Sequence, residues 1–156
     1  MVFFNILRDL GHIWAFVFII VALFFVLPQS GKTQCKGYAK KICKAELNPF
    51  THDGNYHAAI LTEGEEAELY KTFYSDQEYR IAICGAIGQS NIEFKIVDAH
   101  RNELYNNRNE EYTNVWDFKL DSSQQLKLVV KVLKAEDETE EPESGCVAIM
   151  FGFKVN

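Results

Sequence analysis

From Ala58 onward the apolar residues recur mostly with a period of two, and this period constrains the fold more than any other feature of the chain. Ala67, Leu69 and Phe73 alternate with Glu68, Tyr70, Thr72 and Tyr74, and Tyr79, Ile81 and Ile83 with Arg80 and Ala82. The same holds for Ile92, Phe94 and Ile96, for Trp116, Phe118 and Leu120, and for Leu126, Leu128, Val130 and Val132. Val147, Ile149, Phe151, Phe153 and Val155 complete the series. A period of two sends one set of side chains to a core and the other to water, which marks half-buried strands. A short apolar run, Ala58-Ala59-Ile60-Leu61, precedes them. Turn-rich connectors separate the segments: Thr62-Glu63-Gly64-Glu65, Ser75-Asp76-Gln77, Gly85-Ala86-Ile87-Gly88, Asp98 to Asn102, and Asp121-Ser122-Ser123. Short strands at this spacing imply an antiparallel sandwich or barrel rather than a βαβ fold. The expected core is Ile81, Ile83, Phe94, Ile96, Trp116, Phe118, Leu128, Val130, Ile149 and Phe151, each contributing about 1.5–3 kcal/mol on burial. Only Tyr38 to Leu47 reads as a short helix, ended by Asn48-Pro49, and it is expected to cap one end of the sandwich.

Ahead of these strands stands an unbroken run of 15 apolar residues, Ile13 to Leu27. A short polar lead with Arg8 and His12 precedes it, and Pro28-Gln29-Ser30-Gly31 breaks it, the order of a secretory signal peptide. A spanning helix needs about 20 apolar residues, so the run is short for one. The reading is a cleaved signal over residues 1–34, with an uncleaved N-terminal anchor as the alternative because no Ala-x-Ala site follows. Residues 35–57 form a disulfide-capped N-terminal segment and residues 58–156 the β-sandwich domain. Either form of the leader places the domain outside the cytoplasm, periplasmic or extracellular.

All four cysteines, Cys35, Cys43, Cys84 and Cys146, follow the leader, and an even count in an oxidising compartment implies a disulfide framework with three pairings open. Geometry favours Cys35–Cys43, which closes a local loop, and Cys84–Cys146. Both members of the second pair fall on the strand face opposite the large apolar residues, so they can meet across neighbouring strands. The paired short spacings of a zinc site are absent. Lys32-Thr33-Gln34 before Cys35 does not suit a lipoprotein junction.

The chain carries a net charge of −6, and one starting at Cys35 loses Arg8, Lys32 and Asp9 to reach −7. This balance argues against nucleic acid as a partner and against adsorption to an anionic membrane face. Lys36, Lys40, Lys41 and Lys44 cluster at the mature N-terminus. Glu136, Asp137, Glu138, Glu140, Glu141 and Glu143 form an acidic run that reads as a solvated loop, since the ligand order of a calcium loop is missing.

The block Leu69-Tyr-Lys-Thr-Phe-Tyr-Ser-Asp-Gln-Glu-Tyr79 resembles the opening strand, turn and Tyr-strand of bacterial pre-peptidase C-terminal type domains. Ile92 to Asp98 followed by Asn102 to Tyr105 is similar to their step from apolar strand through acidic turn to apolar strand. Trp116-Asp117-Phe118 and Gly145-Cys146-Val147-Ala148-Ile149 fit the later strands. The resemblance spans residues 66–155 and implies a jelly-roll sandwich of the kind found on or beside secreted enzymes. Their acidic metal-binding positions have no residue-by-residue match in this chain, so no metal or other cofactor is expected.

Signs of chemistry are few. There is no nucleophile elbow, and Ser75, Ser90, Ser122, Ser123 and Ser144 sit in polar turns. His52, Asp53 and His57 are the candidates for a hydrolase, but residues five apart switch faces of a strand. Tyr70, Tyr74, Tyr105, Tyr112 and Trp116 offer aromatic surface for a partner or a glycan. Within the polar segment from Asn106 to Tyr112, Tyr105, Arg108 and Tyr112 are the candidate contact surface. The sequence therefore reads as an exported all-β sandwich of jelly-roll type behind a signal or anchor helix. It is expected to be a non-enzymatic accessory or protein-interaction module. A small carbohydrate-binding module is the alternative and a hydrolase the third reading. Any membrane contact runs through residues 13–27, if these are uncleaved.

Overall fold

The computed structural model describes residues 32–86, 91–134 and 141–155. The apolar run 13–27, the turn at Ile87-Gly88 and Glu136 to Glu140 of the acidic run lie outside them. Contacts divide the chain into Met1–Ser30 and Gly31–Asn156, and every described residue belongs to the second unit.

That unit is an all-β antiparallel sandwich. Its strands are β1 (Thr51–His52), β2 (His57–Thr62), β3 (Glu66–Phe73), β4 (Glu78–Ala86), β5 (Ile92–Val97), β6 (Glu103–Asn106), β7 (Val115–Lys119), β8 (Gln124–Val132) and β9 (Ser144–Phe153). The first sheet runs β2-β9-β4-β7, with the two-residue β1 also pairing β9, and the second runs β3-β8-β5-β6. Every pairing is antiparallel. From β2 to β9 the chain passes from one sheet to the other at every step except β5 to β6, which are neighbours in the second sheet.

The alternating residues close the core between the sheets. Ile81, Ile83, Phe94, Ile96, Leu128, Val130, Ile149 and Phe151 are buried, with Trp116 and Phe118 partly buried against them. Along the β6–β7 side, aromatic rings seal the sandwich. Tyr105 stacks on Trp116 at 4.6 Å between ring centroids, and Trp116 on Phe118 at 4.3 Å.

The N-terminal segment departs from expectation in extent, position and disulfide pairing. An α-helix, α1 (Lys32–Lys41), and a 3₁₀ turn (Cys43–Leu47) replace the shorter helix expected from Tyr38. They lie on the outer face of the first sheet rather than at one end of the sandwich. Cys35, Ala39, Cys43 and Leu47 are all buried, and a spacing of four keeps them near one helical face. Ala39, Cys43 and Leu47 pack against Ala82, Cys84, Ala148 and Met150, whose side chains form a second small core.

Instead of Cys35–Cys43 and Cys84–Cys146, the bridges are Cys35–Cys146 and Cys43–Cys84. The parity argument put Cys84 and Cys146 on the correct, outer face, but the register separates them. Cys84 stands opposite Ala148, and Cys146 opposite Ala86. Diagonal neighbours on adjacent strands lie about 7–8 Å apart, beyond the usual Cα reach of a disulfide of about 4.4–6.8 Å. The helical segment crossing above supplies a partner to each, at Cα separations of 5.2 and 5.6 Å.

Candidate functional site

The side of the sandwich opposite the aromatic seal is framed by β2 and β3, the edges of the two sheets. The register places His57, Ala59 and Leu61 of β2 beside the inward Ile149, Val147 and Gly145. Ala67, Leu69 and Lys71 of β3 are the inward residues facing them. Where the other side has Tyr105 and Trp116, this one has Ala59 and Ala67, whose methyl groups do not bridge the gap. A cleft of about 330 Å³ opens there, lined by Ala59, Leu61, Ala67, Leu69, Val130 and Val147 among others.

A polar cluster adjoins the cleft at His57, which lines it. Lys71 points inward from β3, its Nζ 2.7 Å from Asp53 Oδ2 and 4.8 Å from the centre of the Phe151 ring. Asp53 Oδ1 accepts the Asn55 N–H at 2.9 Å, and the Asp53 N–H donates to the Phe151 carbonyl at 3.0 Å. The ion pair thus ties the edge of one sheet to the edge of the other. Burial pushes the Asp53 pKa up, but the Lys71 ammonium and the Asn55 donors outweigh it and hold the carboxyl below its ordinary value. His52 Nε2 donates to the Asn55 carbonyl at 2.8 Å and lies 3.8 Å from Asp53 Oδ1. His57 meets Phe151 edge-on at 5.6 Å. Burial lowers its pKa, against the pull of Asp53.

The structure therefore brings His52, Asp53 and His57 into one neighbourhood, but the carboxylate is taken by Lys71 and Asn55 and the His52 donor by a carbonyl. Lys71 is the member that sequence reasoning missed. Its signal was a lysine at an inward position of an otherwise apolar set, Ala67, Leu69 and Phe73.

The other expected contact residues are scattered. Tyr105 is buried in the core, stacked on Trp116, and its hydroxyl donates to Glu110 Oε2 at 2.9 Å, so it offers no contact surface. Burial, with Glu110 beside it, raises its pKa. Arg108 is exposed and pairs with Glu93 at 2.6 Å. Tyr112 adopts a left-handed backbone, φ 58°, after Glu111 at φ 52°. The segment that read as a polar loop is a 3₁₀ helix, Asn107–Glu110, organised by Asn107, which is 1 % exposed. Asn107 Oδ1 accepts the Phe94 N–H at 2.8 Å, and Nδ2 donates to the Ile92 and Thr113 carbonyls at 2.9 and 3.0 Å.

Tyr70, 57 % exposed, borders a second concavity of about 520 Å³ on the outer face of the second sheet, with Lys95, Val97, Arg101, Lys127 and Val129. Glu68 and Lys127 form an ion pair there. Among the described residues no cluster of three His, Cys, Asp or Glu side chains has the arrangement of a metal site, and no helix is long and apolar enough to cross a membrane.

No family model matches the chain, and no curated protein does. Among solved structures the chain is similar to PliG of Aeromonas hydrophila, a periplasmic lysozyme inhibitor of g-type lysozyme. The identity is 14 %, the match covers 66 % of this chain and 88 % of that one, and the TM-score is 0.45.

Proposed function

We propose that this chain is an exported, non-catalytic interaction module that docks a protein along the β2 edge, beside the cleft between β2 and β3. The observation that carries the reading is the character of β2. Its residues, His57-Ala58-Ala59-Ile60-Leu61-Thr62, include no Lys, Arg, Asp or Glu, and Ile60 is 49 % exposed. Sheet edges are ordinarily blunted by charge, brevity or irregularity, because their unpaired backbone groups recruit foreign strands. The other three edges are blunted in these ways. β3 carries Glu66, Glu68 and the inward Lys71, β6 has four residues before it turns into a 3₁₀ helix, and β7 holds Asp117 paired to Arg80. A bare edge next to an apolar pocket suits strand addition, in which backbone hydrogen bonds supply affinity and a pocket supplies selectivity. Two disulfides and the apolar leader support a periplasmic or extracellular address.

The test is a photo-crosslinking side chain placed at Ile60 of the exported chain, with the same group at Lys119 of β7 as control. A discrete protein adduct from position 60 and none from position 119 is the expected result. No adduct, or equal adducts from both sites, would overturn the reading. The exposed ring of Tyr70 above a polar concavity favours a second reading, glycan binding, since flat rings stack on sugars. Binding on a glycan array that Tyr70→Ala abolishes would establish it instead.

A further inference from the structure

We propose that the protein docked on β2 is a second copy of this chain, joined edge to edge across a two-fold axis at Ala59. The inference rests on β2 being the docking edge. In an antiparallel ladder successive residues direct their N–H and C=O alternately to one neighbour and then to the other. The Glu63 N–H donates to the Glu143 carbonyl at 3.0 Å, and Thr62 stands opposite Ser144. Counting back from Glu63, Leu61, Ala59 and His57 bond to β9, whereas Thr62, Ile60 and Ala58 point their backbone groups outward.

Thr62 is already satisfied. Its N–H donates to Glu65 Oε2 at 2.7 Å, and its carbonyl accepts the Glu65 N–H at 2.9 Å. Two residues remain, Ala58 and Ile60, each with one outward donor and one outward acceptor that have no partner among the described residues.

A second β2 laid antiparallel with Ala59 opposite Ala59 sets Ala58 of each copy against Ile60 of the other. Each such pair exchanges two hydrogen bonds, so four bonds satisfy every free group on both edges. An axis at Ile60 would instead oppose Ala58 to Thr62, whose groups Glu65 has taken. At Ala59 the two copies form a non-bonded pair, in which Cα atoms approach to about 4.5 Å, and the methyl groups fit that spacing. Ile60 is covered by Ala58 of the second copy on the outer face, and Leu61 meets His57 of the second copy on the inner face beside the cleft. No charged side chain of β2 meets its like, because β2 has none. The first sheet then runs continuously through both molecules.

Sedimentation velocity of the exported chain over a concentration series tests this. A monomer–dimer equilibrium is expected. Ile60→Pro removes an outward donor without touching the β9 ladder, a substitution edge strands accept. It deletes two of the four bonds and should weaken dimerisation by at least about tenfold while leaving thermal unfolding of the monomer unchanged. Ala59→Cys should yield a disulfide-linked dimer under mild oxidation, whereas Ala58→Cys should not. A chain that stays monomeric throughout, or a dimer indifferent to Ile60→Pro, overturns the proposal. If the adduct from position 60 contains a different protein, the second copy is overturned and the docking edge stands. If position 60 gives no adduct, both fall.

Discussion

Asn107 shows how a single side chain organises a connection that carries no apolar pattern. Its amide serves three backbone groups at once, the Phe94 N–H and the Ile92 and Thr113 carbonyls. Replacement by Ala would leave all three unserved, the Phe94 N–H buried and the two carbonyls partly buried, and a buried group left without a partner costs about 1–3 kcal/mol. Asn107→Ala should therefore lose at least about 1–3 kcal/mol, read as a lower denaturant midpoint at unchanged slope. His57 and Asp53 make the stability depend on pH in the same direction. Burial depresses the His57 pKa, so folding favours its neutral form. That contribution is complete above the unfolded value of about 6.5 and is lost as pH falls through the lower folded value. Asp53, also depressed, contributes above about pH 3.9 and loses its contribution as pH falls below that. Stability should thus decline in two stages on acidification. The first stage should flatten in His57→Leu and the second in Asp53→Asn, as monitored by thermal unfolding at successive pH values.

At the scale of elements, the pinned helix is the least expected part of the molecule. Small residues let α1 approach the sheet closely: Ala39 and Ala82 are both fully buried, as is Ala148. Ala39→Leu forces a larger side chain into that contact and should cost about 1–3 kcal/mol, measured by chemical unfolding. Gly152 is equally constrained, since a Cβ there would stand 2.8 Å from Phe50 Cβ, a backbone-attached atom that cannot swing aside. The two bridges differ in access. Cys43 and Cys84 are both buried, whereas Cys146 of the other bridge is half-buried. Thiol attack depends on access, so Cys35–Cys146 should open first under mild reductant. Timed alkylation and non-reducing peptide mapping would show Cys35 and Cys146 labelled before Cys43 and Cys84. The same map tests the pairing itself. A Cys35–Cys43 peptide would contradict the arrangement described above.

For the whole molecule, the address rests on the leader and the strands on their alternation. Intact-mass measurement of the exported protein should find an N-terminus between Ser30 and Cys35, and recovery of residues 1–156 in the membrane fraction would point to an anchor instead. The period of two was legible throughout, because which face a side chain takes is set within its own strand. It identified the core residues from Ile81 to Phe151 and put Cys84 and Cys146 together on the outer face. The burial of Tyr105 was not legible in the same way: nothing within Leu104-Tyr105-Asn106 says that Trp116 waits to stack on Tyr105, or that Asn107 will turn inward. Nor could the local pattern show that Lys71 faces Asp53 across the gap between two sheets. Sequence alone determined that there are strands, which residues they bury, and that the cysteines lie beyond an export-like leader. Only the tertiary structure decided which strands are neighbours, in what register, and which edge is left bare. Strand pairing joins residues far apart in the chain, and its register is chosen by the packing of both sheets together. A shift of two residues keeps every side chain on its face, and so leaves no trace in the periodicity, yet it decides whether Cys84 stands opposite Cys146 or, as here, opposite Ala148.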